Sequence, residues 1–286
     1  MKTYNDIYLS VRKRLRAAGI TASELEARLI IAHATGKTRE ELLEAGRLFF
    51  TDAAMLKTIE DSIERRLKGE PVAYITGEWE FYGLPFAVNE KVLIPRIDTE
   101  LLARNAINCI KSSVAKTRVL DLCTGSGCVG LAVAANVPDC RVVLADVSHE
   151  ALIVCRENMR LSKLSRRATA IEADVLQPPP SLLGTFDMIV CNPPYIRSGD
   201  LETLDVSVRD YEPLQALDGG PDGLMYFKAV ASMWAPLLVK RGRILFECGE
   251  GQAYDVREIM AENGIRGITI HKDTLDIDRV LTGYLK

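Results

Sequence analysis

From residue 118 onward the chain alternates short apolar runs with helix-like segments, and no other feature constrains the fold more. The strand-like runs are 118–122, 141–145, 168–171, 186–191, 243–248, 265–271 and 280–285. Helical stretches separate most of them, at about 128–136, 149–162, 222–239 and 252–263. Strand–helix alternation with short loops predicts an α/β fold with a doubly wound, mostly parallel sheet. Residues 272–279 are too few for a crossover helix, so we expect the last two strands to pair antiparallel.

Residues 1–73 have the periodicity of a small all-α domain. The expected interior positions recur at helical spacing: Ile7, Val11, Leu15, Leu25, Leu29, Ala32, Leu56, Ile59, Ile63 and Leu67. A Thr followed three residues later by Glu is the capping-box signal of a helix start, and it occurs at 21–24 and at 38–41. Pro71 then ends the helical pattern. We expect a hairpin or linker at 74–94, and a second domain at 95–286 that begins with a helix at about 98–112.

The charge balance and the cysteines exclude several classes of function. There are 36 Lys and Arg residues against 39 Asp and Glu residues, a net charge of −3, so we expect no stable nucleic-acid binding. No apolar run approaches the ~18 residues of a membrane span, and no apolar signal core precedes the first helix. We therefore expect a cytoplasmic protein with no membrane contact. The seven Cys residues contain no CxxC pair, which predicts neither a metal site nor a redox dithiol.

A glycine-containing turn follows the first strand of the predicted sheet. The segment reads Asp121-Leu122-Cys123-Thr124-Gly125-Ser126-Gly127 and runs directly into the helix predicted from 128. Glycines let the backbone approach a ligand closely, and the N-terminus of a helix favours a carboxylate or phosphate. The three-glycine dinucleotide fingerprint is absent, so a tight strand–helix turn without a ligand is the alternative interpretation.

Acidic residues follow the next two strands. Asp146 comes 21 residues after Gly125, which is the spacing of an acid that binds both hydroxyls of a ribose, although a helix cap is the alternative. Asp174 is placed to accept from an adenine amino group while Val175 packs on the ring. A simple loop acid explains Asp174 equally well.

The segment Asn192-Pro193-Pro194-Tyr195 follows the strand at 186–191 and is the most specific chemical signal. Two prolines fix the backbone and donate no hydrogen bonds, so they present only carbonyl acceptors. The Asn192 side-chain oxygen is a further acceptor, and Tyr195 offers a flat stacking face. Two acceptors can hold both N–H bonds of a planar NH₂ group and leave the nitrogen lone pair facing an electrophile. We therefore predict Asn192, Pro193 and Tyr195 as catalytic residues, with Pro194 beside them at the substrate.

These motifs, in this order and spacing, resemble the class I S-adenosylmethionine-dependent methyltransferases that alkylate amino or amide nitrogens. Other segments resemble the HemK/PrmC family of peptide chain release factor glutamine methyltransferases: 74–77, 81–84, 93–100, 211–217, 279–284 and the N-terminal helical unit. The resemblance covers nearly the whole chain. It implies a Rossmann-like, seven-stranded sheet and methylation of the side-chain amide of the Gln in the Gly-Gly-Gln motif of bacterial class I release factors. Release factors are therefore the expected partners.

The resemblance also implies a role for each motif. S-adenosylmethionine is the expected cofactor, and the residues expected around it are Asp121, Cys123, Thr124, Gly125, Ser126, Gly127, Asp146, Asp174, Val175 and Asn192. Residues 192–195 would hold the glutamine amide, and residues 1–73 would dock the protein substrate. Arg96 and Glu100 are expected at the substrate, or alternatively in an interdomain ion pair.

Two residues depart from the family pattern. Cys123 replaces the first glycine of the usual turn, so its backbone must have a negative φ or carry strain. Val175 stands where an aromatic residue is frequent, which predicts weaker packing on adenine.

Three other functions compete with this interpretation. A ribosomal-protein glutamine is a substrate of a sister branch, and sequence separates the two substrates poorly. A DNA adenine methyltransferase would need a basic cleft, a recognition domain and a flipped base, and little is inserted after Tyr195. A cofactor-binding scaffold would not need the acceptor pair of residues 192–195.

Overall fold

The computed structural model describes residues 2–111 and 116–286, and it divides into two compact units. The first comprises the residues up to Gly77 together with Asp205–Tyr211. The second comprises Glu78–Leu204 and Glu212–Lys286. Ser112, the end of a predicted helix, lies outside the described residues. No helix in the described parts of the chain is long and apolar enough to cross a membrane.

The first unit is helical. Its α-helices are α1 (Tyr4–Ala17), α2 (Ser23–Thr35), α3 (Arg39–Glu44), α4 (Ala53–Leu67), α5 (Val72–Thr76) and, from the later segment, α9 (Val206–Arg209). Ile7, Val11 and Leu15 of α1 are buried, as the periodicity predicted. The capping box predicted at 38–41 is also confirmed. The Thr38 hydroxyl accepts from the Glu41 backbone N–H at 3.2 Å, and the Glu41 carboxylate accepts from the Thr38 backbone N–H at 2.8 Å.

Two predictions for α2 are wrong. The N-cap residue is Ala22, which makes no side-chain cap, and the helix begins at Ser23. Glu24 is therefore the second helical residue rather than the third, and it forms no capping box with Thr21. Glu24 instead accepts a hydrogen bond from Arg12 at 3.1 Å. The interior face is also displaced: Leu25 is 52% exposed, while Ala27, Ile30 and Ile31 are buried.

The second unit contains a seven-stranded sheet. Its strands are β3 (Thr117–Leu122), β4 (Cys140–Asp146), β5 (Ala168–Glu172), β6 (Phe186–Cys191), β7 (Leu238–Glu247), β8 (Ile265–Lys272) and β9 (Asp278–Leu285). The order across the sheet is β5-β4-β3-β6-β7-β9-β8. The first five strands in this order are parallel, and β9 pairs antiparallel with both β7 and β8. The doubly wound sheet and its antiparallel end are therefore as predicted.

Helices connect these strands. They are α6 (Glu100–Lys111), α7 (Cys128–Asn136), α8 (His149–Leu161), α10 (Met225–Ala229) and α11 (Ala253–Glu262), and a separate hairpin pairs β1 (Glu78–Phe81) with β2 (Leu84–Ala87). The helix predicted at 222–239 is wrong in extent. After α10 the chain forms a π-helical turn and a 3₁₀ turn, and β7 already begins at Leu238 rather than at 243. Pro236 explains the break, because proline cannot donate the backbone bond of a continuing α-helix.

Candidate active site

The carboxyl ends of β3, β4 and β6 meet at one edge of the sheet and line a cavity. Their order places them side by side, with Leu122 of β3 paired to Ala145 of β4 and to Cys191 of β6. The predicted site residues that line this cavity are Arg96, Asp121, Cys123, Thr124, Gly125, Ser126, Asp146, Asn192 and Pro194. Those that lie outside its lining are Glu100, Gly127, Asp174, Val175, Pro193 and Tyr195.

Asp121 holds the turn after β3 against the start of α7. Its Oδ2 accepts from the Thr124 hydroxyl at 2.6 Å and from the Gly130 backbone N–H at 2.9 Å. A larger residue than glycine would be crowded at 130, because a Cβ would lie 2.3 Å from Leu144 Cδ2. Burial raises the pKa of Asp121 to about 7, although the hydrogen bonds from Thr124 and Gly130 oppose the shift.

Cys123 occupies a strained backbone conformation. Its φ is +56°, in the left-handed region that residues with a Cβ rarely adopt. The second of the two predicted possibilities, strain rather than a negative φ, is therefore the one found. The residue after Cys123 is fixed to the neighbouring strand, since the Thr124 backbone N–H donates to the Ala145 carbonyl at 3.1 Å. Strained residues of this kind cluster where a loop is shaped for a ligand.

Asp146 faces the same turn from the end of β4. Its Oδ2 accepts from the Gly125 backbone N–H at 2.8 Å, and its Oδ1 accepts from the Ser148 N–H at 2.9 Å. Burial raises the pKa of this carboxyl group, and the two backbone hydrogen bonds oppose the shift. Beside it the Ser126 hydroxyl oxygen is buried and has no hydrogen-bond partner among the described residues. An unpaired buried hydroxyl group in a cavity wall is a position for a ligand polar atom.

Asn192 stands at the end of β6 and is tied to a buried polar pair. Its Nδ2 donates to the Thr99 hydroxyl oxygen at 3.2 Å. The Thr99 hydroxyl group lies 3.1 Å from Oε1 of Glu247, at the end of the neighbouring strand β7. Thr99 and Glu247 are 2% and 1% exposed. The polar group of the acceptor motif is therefore fixed from behind by side chains of two other segments.

The backbone after Asn192 is braced by a later segment of the chain. The Ile196 N–H donates to the Leu217 carbonyl at 3.0 Å, and Gly219 N–H returns a bond to the Ile196 carbonyl at 2.7 Å. A Cβ at Gly223 would lie 2.4 Å from the Tyr195 carbonyl oxygen, so only glycine allows this approach. The same carbonyl accepts from Gln252 Nε2 at 2.9 Å. The loop that presents Asn192 is consequently held on its outer side.

Tyr195 is not among the residues that line the cavity. Its ring packs with the hydrophobic core, near enough to Gly249 that a Cβ there would lie 3.1 Å from Tyr195 Cδ2. Burial raises the pKa of its hydroxyl group. The aromatic side chain in the cavity lining is instead Tyr226 of α10.

Arg96 and Glu100 have separate partners, so the predicted ion pair between them is not found among the described ion pairs. The Arg96 guanidinium bonds the carboxylate of Glu212. Glu212 is 5% exposed and also accepts from the Ile94 backbone N–H at 3.1 Å. Glu100 accepts from the Tyr82 backbone N–H at 2.8 Å. Arg96 is thereby held at the cavity, whereas Glu100 secures the hairpin.

Asp174 and Val175 lie beside the cavity rather than in its lining. Asp174 Oδ1 accepts from the Leu176 N–H at 2.8 Å. Val175 is 4% exposed in the core, and its carbonyl accepts from Trp234 Nε1 at 3.0 Å. The preceding residue joins this segment to the cavity, because the Ala173 N–H donates to the Asp146 carbonyl at 2.9 Å.

Sequence reasoning missed several residues that build the site. They are Thr99, Glu212, Tyr226, Glu247 and Gln252. Polarity was the sequence signal that could have identified them. Glu247 stands in a strand-like run of apolar residues, and a carboxylate is rarely buried there unless it is paired.

A seven-stranded sheet of this order, with a glycine turn after β3, an acid after β4 and an acceptor motif after β6, defines a class I methyltransferase. Comparison with solved structures agrees for the fold: a methyltransferase from Pyrococcus furiosus matches with a TM-score of 0.52 and 16% identity, over 79% of this chain and 98% of that one.

Sequence comparison identifies the family. Residues 97–209 match the methyltransferase small domain, and residues 6–77 match the PrmC N-terminal domain. A release factor glutamine methyltransferase of Agrobacterium fabrum is 36% identical over 96% of this chain and 94% of its own length. One from Clostridium acetobutylicum is 36% identical over 90% of this chain and 89% of its own. The chain belongs to the release factor glutamine methyltransferase family.

Proposed function

We propose that this enzyme transfers a methyl group from S-adenosylmethionine to the side-chain amide nitrogen of the Gln in the Gly-Gly-Gln motif of bacterial class I release factors. The observation that supports this proposal most directly is the orientation of Asn192, whose NH₂ group donates to the Thr99 hydroxyl oxygen. Its Oδ1 is thus left as an acceptor in a cavity wall. The names of the relatives give the substrate class.

The cavity lining suits S-adenosylmethionine, which supplies an electrophilic methyl group on a sulfonium sulfur when bound. Asp146 would accept from the ribose hydroxyls, and the turn at 123–127 would hold the methionine end. The unpaired Ser126 hydroxyl group offers a further polar contact. Asp174 and Val175 stay in the proposal as adenine contacts, because their segment is bonded to Asp146 through Ala173.

The chain's own task is to hold the glutamine amide. An amide nitrogen is a poor nucleophile, since its lone pair is delocalised into the carbonyl group. The Asn192 Oδ1 and the Pro193 carbonyl would each accept one N–H, which fixes the lone pair toward the methyl group. These hydrogen bonds strengthen as the nitrogen gains positive charge, so they stabilise the transition state more than the ground state. The methylated nitrogen is acidic and can lose its proton to solvent without a strong base.

We further propose that the helical unit docks the protein substrate and that the reaction takes place in the cytoplasm. The docking role is supported by the match of residues 6–77 to the PrmC N-terminal domain. Residues 1–75 have no strong basic excess, so contact with protein rather than with nucleic acid is the expected mode.

Radiolabelled methyl transfer tests the proposal. The purified enzyme and labelled S-adenosylmethionine would be incubated with a release factor, and with the same release factor whose Gly-Gly-Gln glutamine is replaced by Ala. We expect label only in the first. A purified ribosomal protein and a DNA duplex form the comparison arms. Equal label in the Ala-substituted release factor, or label in DNA alone, would overturn the assignment of substrate.

A further inference from the structure

Glu247 is a buried carboxyl group at the active site that the proposed reaction does not yet use. It ends β7, next to Asn192, because Cys191 of β6 pairs with Phe246 of β7. Its Oε1 lies 3.1 Å from the Thr99 hydroxyl oxygen. Its Oε2 is buried and has no hydrogen-bond partner among the described residues. A half-satisfied carboxyl group is costly to bury, so a purely structural role explains it poorly.

We propose that Glu247, acting through Thr99, is a positioning residue that sets which end of the Asn192 amide faces the substrate. The inference rests on the proposed function, because it concerns how the same glutamine amide is held. Glu247 and Thr99 both act through Asn192, and neither touches the reacting atoms.

The number of hydrogens available to these three groups fixes the orientation of the Asn192 amide. An ionised carboxylate only accepts hydrogen bonds, and a hydroxyl group has a single hydrogen to donate. If Thr99 donates that hydrogen to Glu247, its oxygen can only accept from Asn192. Asn192 must then direct its NH₂ group to Thr99, and its Oδ1 remains free for the substrate N–H. The reversed amide would present its own NH₂ group to the substrate NH₂ group, which places donors against donors.

Protonation of Glu247 removes this constraint. The carboxylic acid can donate to Thr99, whose hydrogen is then free to bond Asn192 Oδ1, so the reversed amide orientation becomes available. Burial raises the pKa of Glu247 to about 7, while the hydrogen bond from Thr99, the charge of Arg279 and a weaker direct interaction with the Asn192 side chain favour the ionised form. That direct interaction favours the same orientation of Asn192, with its NH₂ group toward the carboxylate. The charged and titratable groups that act with it from neighbouring elements are Arg279, Asp98, Tyr195, Cys128 and Cys248.

The pH profile of turnover is therefore the first test. Single-turnover methylation of a release factor would be measured from pH 5.5 to 9 at saturating cofactor. We expect the wild-type rate to fall as the pH decreases through about 7. Glu247→Gln cannot titrate, so its rate should be lower by about tenfold at pH 8 and should lose this acid limb. Glu258→Gln, which removes an exposed carboxylate of α11, should keep the wild-type profile.

Substitution of Thr99 gives an independent test that survives if Glu247→Gln does not fold. Thr99→Ser keeps the hydroxyl group and should retain most of the rate, whereas the near-isosteric Thr99→Val should lose about tenfold or more in rate. The KM for the release factor should change little in both variants. Calorimetric affinity for S-adenosylmethionine should stay at the wild-type value, which reports an intact cavity.

Three results would overturn the inference. An acid limb that persists in Glu247→Gln at the wild-type pH would exclude Glu247 as its origin. Equal rates for Thr99→Ser and Thr99→Val would exclude the hydroxyl relay. A wild-type enzyme that methylates no release factor would refute the proposed function and this inference with it. The first two results leave the proposed function intact, so the two failures are distinguishable.

Discussion

Asn192 is the residue on which the proposed chemistry depends most directly. Replacing it by Ala removes the acceptor that aims the substrate amide, without touching the turn at 123–127. We expect single-turnover methylation of a release factor to slow by about 10²–10³-fold, as when one preorganised polar group is removed from other active sites. S-adenosylmethionine affinity, measured by calorimetry, should fall far less than the rate does. A rate within about threefold of wild type would show that another residue orients the amide.

Asp146 should give the opposite result. In Asp146→Ala two hydrogen bonds from the ribose to a charged acceptor are lost, at about 1.5–3 kcal/mol each as an upper range. We expect cofactor affinity to fall by at least about tenfold while the release factor KM changes little. Asp146→Asn keeps an oxygen for the Gly125 N–H, so it separates loss of the ribose contact from disturbance of the turn. Unchanged calorimetric affinity in both variants would remove Asp146 from the cofactor site.

The residues that sequence could predict at this site are those that follow a strand directly. Asp121, Asp146 and Asn192 stand at or just after the ends of three strands that are neighbours in the parallel sheet, so the fold alone brings them together. Thr99 and Glu247 reach the site from segments 148 residues apart. Such a pairing depends on tertiary packing, for which neither periodicity nor spacing carries a signal.

At the scale of elements, the packing of α7 against the sheet depends on one glycine. A Cβ on Gly130 would lie 2.3 Å from Leu144 Cδ2 and 2.9 Å from Val142 Cγ1. Alanine favours a helix by about 1 kcal/mol, yet overpacking costs about 1–3 kcal/mol or more, so we expect Gly130→Ala to destabilise the protein.

Denaturant unfolding of this variant would be compared with that of Gly199→Ala, where the added Cβ meets nothing within 4 Å. Gly199→Ala should stay near the wild-type midpoint. A Gly130→Ala midpoint at or above wild type would mean that α7 can shift away from β4 without cost.

Helices and strands could be predicted where the hydrophobic periodicity was strong and a loop separated one element from the next. The mostly parallel sheet and its antiparallel last pair follow from the lengths of the connections, which a sequence displays directly. The start of α2 was missed because a turn places Ala22, rather than Thr21, before its first residue. The segment between α10 and β7 was missed because the chain passes from helix to strand through irregular turns around Pro236.

At the scale of the whole molecule, the active site makes stability depend on pH. Asp121 and Glu247 are both buried at this site, and burial raises the pKa of each to about 7. Their ordinary pKa values are 3.8 and 4.5. Between those values and 7 the folded chain therefore binds more protons than the unfolded chain. The free energy of unfolding must then decrease as the pH rises through this range.

We accordingly expect the unit that contains the sheet to be more stable at pH 5 than at pH 8. Each carboxyl group contributes a slope of at most about 1.4 kcal/mol per pH unit. The raised pKa of Asp146 acts in the same direction, whereas the lowered pKa of His271 acts in the opposite direction. Exposed acids with a lowered pKa, such as Asp222, titrate below this window.

Urea unfolding followed by tryptophan fluorescence measures this effect, because both tryptophans, Trp79 and Trp234, belong to the unit that contains the sheet. The comparison variant is Asp121→Asn with Glu247→Gln. It cannot titrate at these positions and keeps His271, so subtracting its pH profile isolates the two carboxyl groups. We expect the variant to lose most of the decrease in the free energy of unfolding between pH 5 and 8. It should also be more stable than wild type at pH 8, where wild type must bury two charges.

Parallel pH profiles for the two proteins would show that neither carboxyl group titrates near 7 in the folded state. The proposed acid limb of turnover, which requires the same protonation of Glu247, would then need a different origin.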